Sequence, residues 1–171
     1  IKNHAKIHKK SKILTAGRLV KEKKFDLVIK FFDNLIESGG DFILEIVGSG
    51  PEFKFLKKLS KKTSIKNKVI FHKHMSQYEL FKIMKNSDYF ILASQKKSER
   101  LPNIVKEAMY CGCICLSSNT QGISELVDDQ VNGFIFDKLD SKCNDLFLNI
   151  SNKKIKDMQK KAKEKIRKDF D

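Results

Sequence analysis

The stretch SERLPNIVKEAMYCG, residues 98–112, is the part of the sequence that best indicates the fold of the chain. Pro102 has a fixed φ and suits a first helical turn, and Gly112 is the residue type expected just past a helix end. The spacing therefore predicts a helix from about Pro102 to Cys111. The apolar residues repeat at intervals of three and four and are Leu101, Ile104, Val105, Ala108 and Met109. This periodicity predicts that one face of the helix packs against a sheet.

Two glutamates, Glu99 and Glu107, lie eight positions apart across the start of this helix. The unpaired N–H groups and the positive dipole end of a helix N-terminus favour an anion, so Glu99 and the amides that follow it are predicted to form a polar, donor-rich rim. Considered alone, however, the two glutamates are more simply a capping residue and a solvated helix residue. Their interpretation depends on the rest of the chain.

Short apolar runs alternate with longer amphipathic ones on both sides of this stretch. The runs predicted as strands are residues 13–16, 42–47, 69–71, 89–93, 114–116 and 131–136, the last at an edge of the sheet. Helical periodicity separates most of them and recurs in residues 151–168. Apolar strands that alternate with helices predict an α/β fold with a doubly wound parallel sheet, covered on both faces.

Length and composition fit one globular domain. The chain has 171 residues, which is enough to bury a core without disulfides or metal, and no apolar run approaches the length of a membrane span. Residues 1–11 are basic and lack periodicity, which predicts a linker there and a single domain over residues 12–171. Because the first residue is Ile1 rather than Met, we expect the chain to be part of a longer protein.

The four cysteines do not have the spacing of a metal site. Cys111, Cys113, Cys115 and Cys143 lack histidines at ligand spacing, and Cys113 and Cys115 lie in an apolar, strand-like run. We therefore predict small buried hydrophobic residues and no metal. Free thiols are typical of a reducing cytoplasm.

The net charge of +14, from 35 basic and 21 acidic residues, attracts polyanions such as nucleic acid, anionic lipid headgroups or a phosphorylated substrate. Three of the basic residues are arginines, and the lysines are scattered over predicted helix faces. Base readout and bidentate phosphate binding depend on arginine, so nucleic acid is disfavoured. Attraction to an anionic membrane surface is left open.

Two basic residues, Arg18 and Lys23, follow the first predicted strand. They lie at its carboxyl end, where open α/β sheets bind ligands, although surface charge is the simpler interpretation on composition alone. The second predicted strand ends in a turn that contains Gly48 and Gly50. Such a turn either lets the backbone approach a phosphate or is merely tight.

Together these motifs resemble the signature of retaining glycosyltransferases of family four, which have the GT-B fold. The resemblance rests on Glu99 and Glu107 with Leu-Pro-Asn between them, on Gly-Arg-Leu-x-x-x-Lys at residues 17–23, on the glycine turn at 48–50, and on an element that starts at Gln121. It covers roughly residues 12–137 and matches the family's carboxyl-terminal half. It implies that residues 12–171 form a Rossmann-like domain that binds a nucleotide sugar, and that an N-terminal acceptor-binding domain belongs to the same protein.

The resemblance also implies a role for each candidate residue. The implied catalytic residues are Arg18, Lys23 and Glu99, the donor-binding residues are Gly17, Gly48, Gly50, Pro102, Asn103, Ile104 and Glu107, and the weaker base contacts are His74 and Met75. Arg18 and Lys23 would hold the donor diphosphate, and Glu107 would accept hydrogen bonds from the ribose diol. Glu99 would hold a sugar hydroxyl.

The activity implied is retaining transfer of a sugar to a glycoconjugate such as lipopolysaccharide or another surface polysaccharide, with no metal and no other cofactor. The implied location is the cytoplasm, with peripheral association at the inner face of the cytoplasmic membrane left open. Three positions depart from the family's glycines and are Lys24, Lys73 and Gln121. They leave open a non-catalytic interaction domain that keeps the fold, and the charge leaves open a basic nucleic-acid-binding Rossmann domain.

Overall fold

The computed structural model describes residues 10–62, 64–95 and 102–170. Six strands form one parallel sheet in the order β3-β2-β1-β4-β5-β6. The strands are β1 Ser11–Ala16, β2 Phe42–Val47, β3 Val69–His72, β4 Tyr89–Leu92, β5 Ile114–Ser118 and β6 Gly133–Phe136. After β3 the chain returns to the other side of β1, so the sheet is doubly wound and the predicted fold class is confirmed.

Helices cover the sheet on both faces. Those in the described ranges are α1 Phe25–Glu37, α2 Phe53–Leu59, α3 Gln77–Lys85, α4 Asn103–Tyr110, α5 Ser141–Asn149 and α6 Asn152–Phe170. Helix α4 lies within one residue of the helix predicted from Pro102 and Gly112, whereas α5 is not among the predicted helices. Strand β1 begins at Ser11, and residues 1–9 of the predicted linker lie outside the described residues.

Two hydrophobic cores lie on opposite faces of the sheet. The first joins α1, α2 and α5 to the sheet, and Phe147 of α5 packs there with its ring centroid 4.4 Å from that of Tyr89. The second joins α3 and α4 to the sheet through residues such as Val105. Helix α6 contributes Met158 to the first core and Ala162 to the second. Burial on both faces explains why the strands are continuous apolar runs.

The four cysteines are free thiols. Cys113, Cys115 and Cys143 are buried as predicted, and Cys111 is half-buried. Burial raises the pKa of the Cys113 and Cys115 thiols, because the low-dielectric interior disfavours the thiolate. The described residues contain no group of three or more histidine, cysteine or carboxylate side chains placed to hold a metal ion.

Helix α3 begins at the predicted capping box. The Glu79 N–H donates to the Ser76 hydroxyl at 3.2 Å, and the Ser76 N–H donates to the Glu79 carboxylate at 3.1 Å. The two side chains thus satisfy backbone donors that the first turn leaves unpaired.

Within the described ranges, no helix is both long enough and apolar enough to span a bilayer.

Candidate functional site

The loops that follow β1, β2 and β3 meet at the carboxyl edge of the sheet. Gly17 N donates to the Val47 carbonyl at 3.0 Å, and Leu19 N donates to the Ser49 carbonyl at 3.0 Å. His74 N donates to the Ser49 hydroxyl at 3.0 Å. These bonds connect the three loops, so the backbone position of each loop depends on its neighbour.

Gly48 allows the first two loops to approach each other closely. Its φ is +154°, and a Cβ at this position would lie 1.9 Å from the Gly17 carbonyl oxygen. A Cβ at Gly50 would lie 2.5 Å from the Leu19 carbonyl oxygen. Close contact between the loops therefore requires glycine at both positions, whether or not the backbone also approaches a phosphate.

A cavity of about 590 Å³ opens above these loops. It is lined by Ala16, Gly17, Arg18, Val47, Gly48, Ser49, Gly50, His74, Met75, Leu80 and Ile104. Met75, Leu80 and Ile104 supply apolar contact, and Arg18 supplies a guanidinium. A largely apolar cleft with a few converging polar groups is the usual form of a small-molecule site, and this volume lies within the usual range.

Most of the predicted site residues meet in this cavity. The predicted residues that line it are Gly17, Arg18, Gly48, Gly50, His74, Met75 and Ile104. Lys23, Pro102, Asn103 and Glu107 belong to neighbouring segments and do not line it. Glu99, the other predicted catalytic residue, lies outside the described residues.

The N-terminus of α4 borders the cavity through Ile104. Pro102 directly precedes the helix, and its carbonyl accepts a hydrogen bond from Val105 N at 3.0 Å. The N–H groups of Asn103 and Ile104 belong to the first turn, where a helix provides no internal acceptor. The cavity therefore has hydrogen-bond donors and the positive end of a helix dipole at its edge.

Glu107 lies one helical turn beyond Ile104 on α4, so the two residues share a face of the helix. Its Oε1 accepts a hydrogen bond from Gln77 Nε2 at 2.8 Å. Among the described residues, Oε2 has no hydrogen-bond partner. The pattern in the sequence did not indicate Gln77, which orients this carboxylate, or the hydroxyl of Ser49, which connects two loops.

The three departures from the family's glycines differ in their consequences. Lys24 has φ +54°, a left-handed conformation that glycine adopts without strain, so the lysine strains the turn before α1. Gln121 keeps a negative φ, and the adjacent Gly122 has φ +84°. Gln121 lines a second cavity, of about 400 Å³, beyond β4. Neither Lys24 nor Lys73 lines the first cavity.

Comparison with known proteins identifies the family. The family described as Glycosyl transferases group 1 matches residues 1–169. The chain belongs to this family. An uncharacterized glycosyltransferase from Haemophilus influenzae is 35% identical over 132 residues, which are 77% of this chain and 36% of the relative. The putative colanic acid biosynthesis glycosyltransferase WcaL from Escherichia coli is 25% identical over 92% of this chain and 41% of its own length.

Solved structures share the fold of this group 1 glycosyltransferase domain. The C-terminal domain of a glycosyl transferase group 1 family protein, LpcC, from Francisella tularensis superposes with a TM-score of 0.80 at 18% identity, covering 94% of this chain and 86% of that one. HepE from Anabaena in complex with UDP-glucose gives 0.79 at 18% identity, covering 92% and 44%. The expected GT-B glycosyltransferase domain is confirmed. The chain spans about two fifths or less of the curated relatives it matches.

Proposed function

We propose that this chain is the donor-binding lobe of a retaining glycosyltransferase that passes a sugar from a nucleoside diphosphate sugar to a hydroxyl of a glycoconjugate. The observation that carries the proposal is the cavity at the carboxyl ends of β1 and β2, which combines the Arg18 guanidinium with the N-terminus of α4. The UDP-glucose bound to HepE supports this donor class. The relative named for colanic acid biosynthesis supports a surface polysaccharide as acceptor, and lipopolysaccharide is proposed on the family resemblance alone.

The bond between the diphosphate oxygen and the anomeric carbon breaks, and the diphosphate takes the electron pair. The acceptor oxygen bonds to the same carbon, and its proton passes to the departing diphosphate. Arg18 lines the cavity and would neutralise the developing charge, and Lys23, on the 3₁₀ turn outside the lining, is proposed to act on the same charge from the neighbouring segment. The N–H groups of Asn103 and Ile104 would donate to the same oxygens, with the helix dipole aligned favourably. Fixed cations and donors of this kind stabilise a transition state because they need little reorganisation. The proposal includes no metal ion and no other cofactor.

The nucleoside would occupy the cavity between the first loops and α4. Glu107 would accept hydrogen bonds from the ribose diol, since a carboxylate accepts through both oxygens and Gln77 already orients one of them. Met75 and the backbone at His74 line the side where the base would lie. Glu99 is proposed to hold a hydroxyl of the transferred sugar.

A second lobe would supply the acceptor site, because the relatives are much longer than the matched segment. Reaction requires the acceptor hydroxyl and the donor carbon to be aligned across a cleft. We therefore expect the 171-residue chain to bind nucleotide without transferring sugar. Transfer measured with this chain and with the full-length protein under one set of conditions tests this point, and efficient transfer by the chain alone would overturn the two-lobed proposal.

Calorimetric titration with UDP, GDP, ADP and the corresponding nucleosides tests donor binding directly. Arg18→Ala should lower the affinity for the preferred nucleoside diphosphate by about 10-fold to 100-fold, as expected for a lost charge-assisted hydrogen bond. It should leave the affinity for the nucleoside nearly unchanged. Arg167→Ala is the matched control, because Arg167 lies on α6 beside Tyr110 and outside the cavity lining. If Arg18→Ala lowered the affinity for the nucleoside and for the nucleoside diphosphate equally, the role of Arg18 in binding the diphosphate would be contradicted.

Glu107→Gln should weaken the binding of both ligands, unlike Arg18→Ala. It preserves the shape of the side chain and removes its charge, so nucleoside and nucleoside diphosphate should both bind about tenfold more weakly. Unchanged affinity for both would remove Glu107 from the ribose site. If none of the three diphosphates binds, the donor-binding proposal fails and a non-catalytic interaction domain that keeps the fold is the better interpretation.

A further inference from the structure

Helix α2 and the segment that follows it form a lysine-rich surface beside the β3 edge of the sheet. Between Glu52 and Glu79 the sequence contains no acidic residue. The lysines of this interval are Lys54, Lys57, Lys58, Lys61, Lys62, Lys66, Lys68 and Lys73. Their charges amount to more than half of the chain's net charge of +14. The interval therefore carries eight positive charges and no negative one.

The lysines of α2 share one exposed face. Lys54, Lys57 and Lys58 are separated by three and four positions, and all three are exposed. Lys61 continues the face one turn further along. In the part of the chain that the structure describes, no lysine of the interval forms an ion pair with a carboxylate. This uncompensated charge creates a positive field that attracts a polyanion.

Two phenylalanines flank this lysine face. Phe53 is 40% exposed and Phe55 is 52% exposed, whereas most other phenylalanines are buried or half-buried. The Phe53 ring packs edge-on against Phe71 at 5.7 Å between centroids, and Lys57 Nζ lies 5.2 Å from the centre of the Phe71 ring. Exposed aromatic side chains beside lysines characterise protein surfaces that rest in the headgroup region of a bilayer.

We propose that this surface, defined by Phe53, Phe55 and the lysines of residues 54–62, docks onto an anionic lipid membrane. Negatively charged headgroups complement the lysines, and the phenylalanines add apolar contact at the boundary with the acyl chains. The interval contains no arginine, the residue that grips nucleic-acid phosphates bidentately, which favours a lipid surface over nucleic acid.

Docking would place the candidate site close to the membrane plane. Helix α2 begins three residues after Gly50, which lines the cavity. A membrane contact along α2 would thus hold the cavity near substrates that are anchored in the bilayer. The inference does not depend on sugar transfer, because it concerns a surface outside the cavity.

Vesicle sedimentation with the 171-residue chain tests the proposal. The wild-type chain should bind phosphatidylcholine vesicles that contain about one third phosphatidylglycerol, at about 0.1 M salt, and should not bind pure phosphatidylcholine. The triple variant Lys54→Gln, Lys57→Gln, Lys58→Gln should bind about 100-fold more weakly. Phe55→Ser should reduce binding about fivefold, in proportion to its partial exposure.

A matched triple variant controls for net charge. Lys153→Gln, Lys154→Gln, Lys156→Gln removes the same charge from exposed positions of α6 and should bind vesicles as the wild type does. Thermal melting of each variant establishes that it is folded. Equal losses in the two triple variants, or no binding of the wild type to anionic vesicles, would overturn the proposal. Tighter binding to a single-stranded oligonucleotide than to vesicles at the same salt would also overturn it, in favour of nucleic acid.

Discussion

Gly48→Ala should destabilise the chain by about 4 kcal/mol or more, because two costs combine. At φ +154° an alanine is strained, which costs about 1–3 kcal/mol. The added Cβ would also lie 1.9 Å from the Gly17 carbonyl oxygen, so the two loops would have to separate by more than about 1 Å. Overpacking of this kind costs about 1–3 kcal/mol and occasionally more. Here the Gly17 carbonyl belongs to a loop whose backbone is held by the hydrogen bond from Gly17 N to the Val47 carbonyl.

Gly17→Ala separates the two costs. Gly17 has a similar φ of +148°, but a Cβ there would lie 3.6 Å from the Phe25 ring, which is an ordinary contact. We expect a loss of about 1–3 kcal/mol from backbone strain alone. Urea denaturation gives both free energies of unfolding, and melting temperatures should fall by about 2–4 °C per kcal/mol for a chain of this size. Equal losses would refute the argument that contact between the loops requires glycine at position 48.

The same displacement should also affect ligand binding. Arg18 directly follows Gly17, and both residues line the cavity. A forced separation of the loops therefore moves Arg18 relative to the rest of the cavity lining. The folded fraction of Gly48→Ala should bind the preferred nucleoside diphosphate at least tenfold more weakly than the wild type, and calorimetry at a temperature well below the melting transition measures this.

Three further predictions concern other segments. Lys24→Gly should stabilise the chain by about 0.5–1 kcal/mol by relieving the left-handed strain, a gain that Lys24→Ala should not reproduce in thermal melts. Ser76→Ala should cost about 1 kcal/mol in urea denaturation through loss of the cap of α3, and no change would show that the capping box contributes nothing. A thiol reagent at pH 8 should modify half-buried Cys111 first, since deeper burial shields the Cys113 and Cys115 thiols and raises their pKa more than that of Cys111; simultaneous reaction of all three would contradict this.

The helices and strands with strong local patterns could be predicted from the sequence. Helix α4 follows from Pro102, Gly112 and the apolar repeat between them, and α3 begins where Ser76 and Glu79 form a capping box. These signals are local, because helix periodicity and capping involve residues within one or two turns. Helix α5 was missed although it also has a local signal, the N-cap Asp140, whose carboxylate accepts a hydrogen bond from Lys142 N at 3.0 Å. The packing of Phe147 against the rings of the first core stabilises it further.

The candidate site could be predicted only in part. Arg18 and Lys23 both follow β1 in the sequence, yet Arg18 lines the cavity and Lys23 does not, because the short 3₁₀ turn Lys21–Lys23 leads the chain toward α1. The glycines of the β2 turn were visible in the sequence, but the carbonyl that forces glycine at position 48 belongs to a different loop.

The sequence by itself therefore determined the fold class, the family resemblance and the position of each strand to within about two residues, since these depend on short-range patterns. The tertiary structure decided which of those residues meet. The contact between Gln77 and Glu107 joins two helices that are 30 positions apart, and the exposure of Phe53 and Phe55 depends on what covers α2. Neither outcome has a local signal, because contacts between distant segments and the burial of a side chain are set by how the helices pack on the sheet.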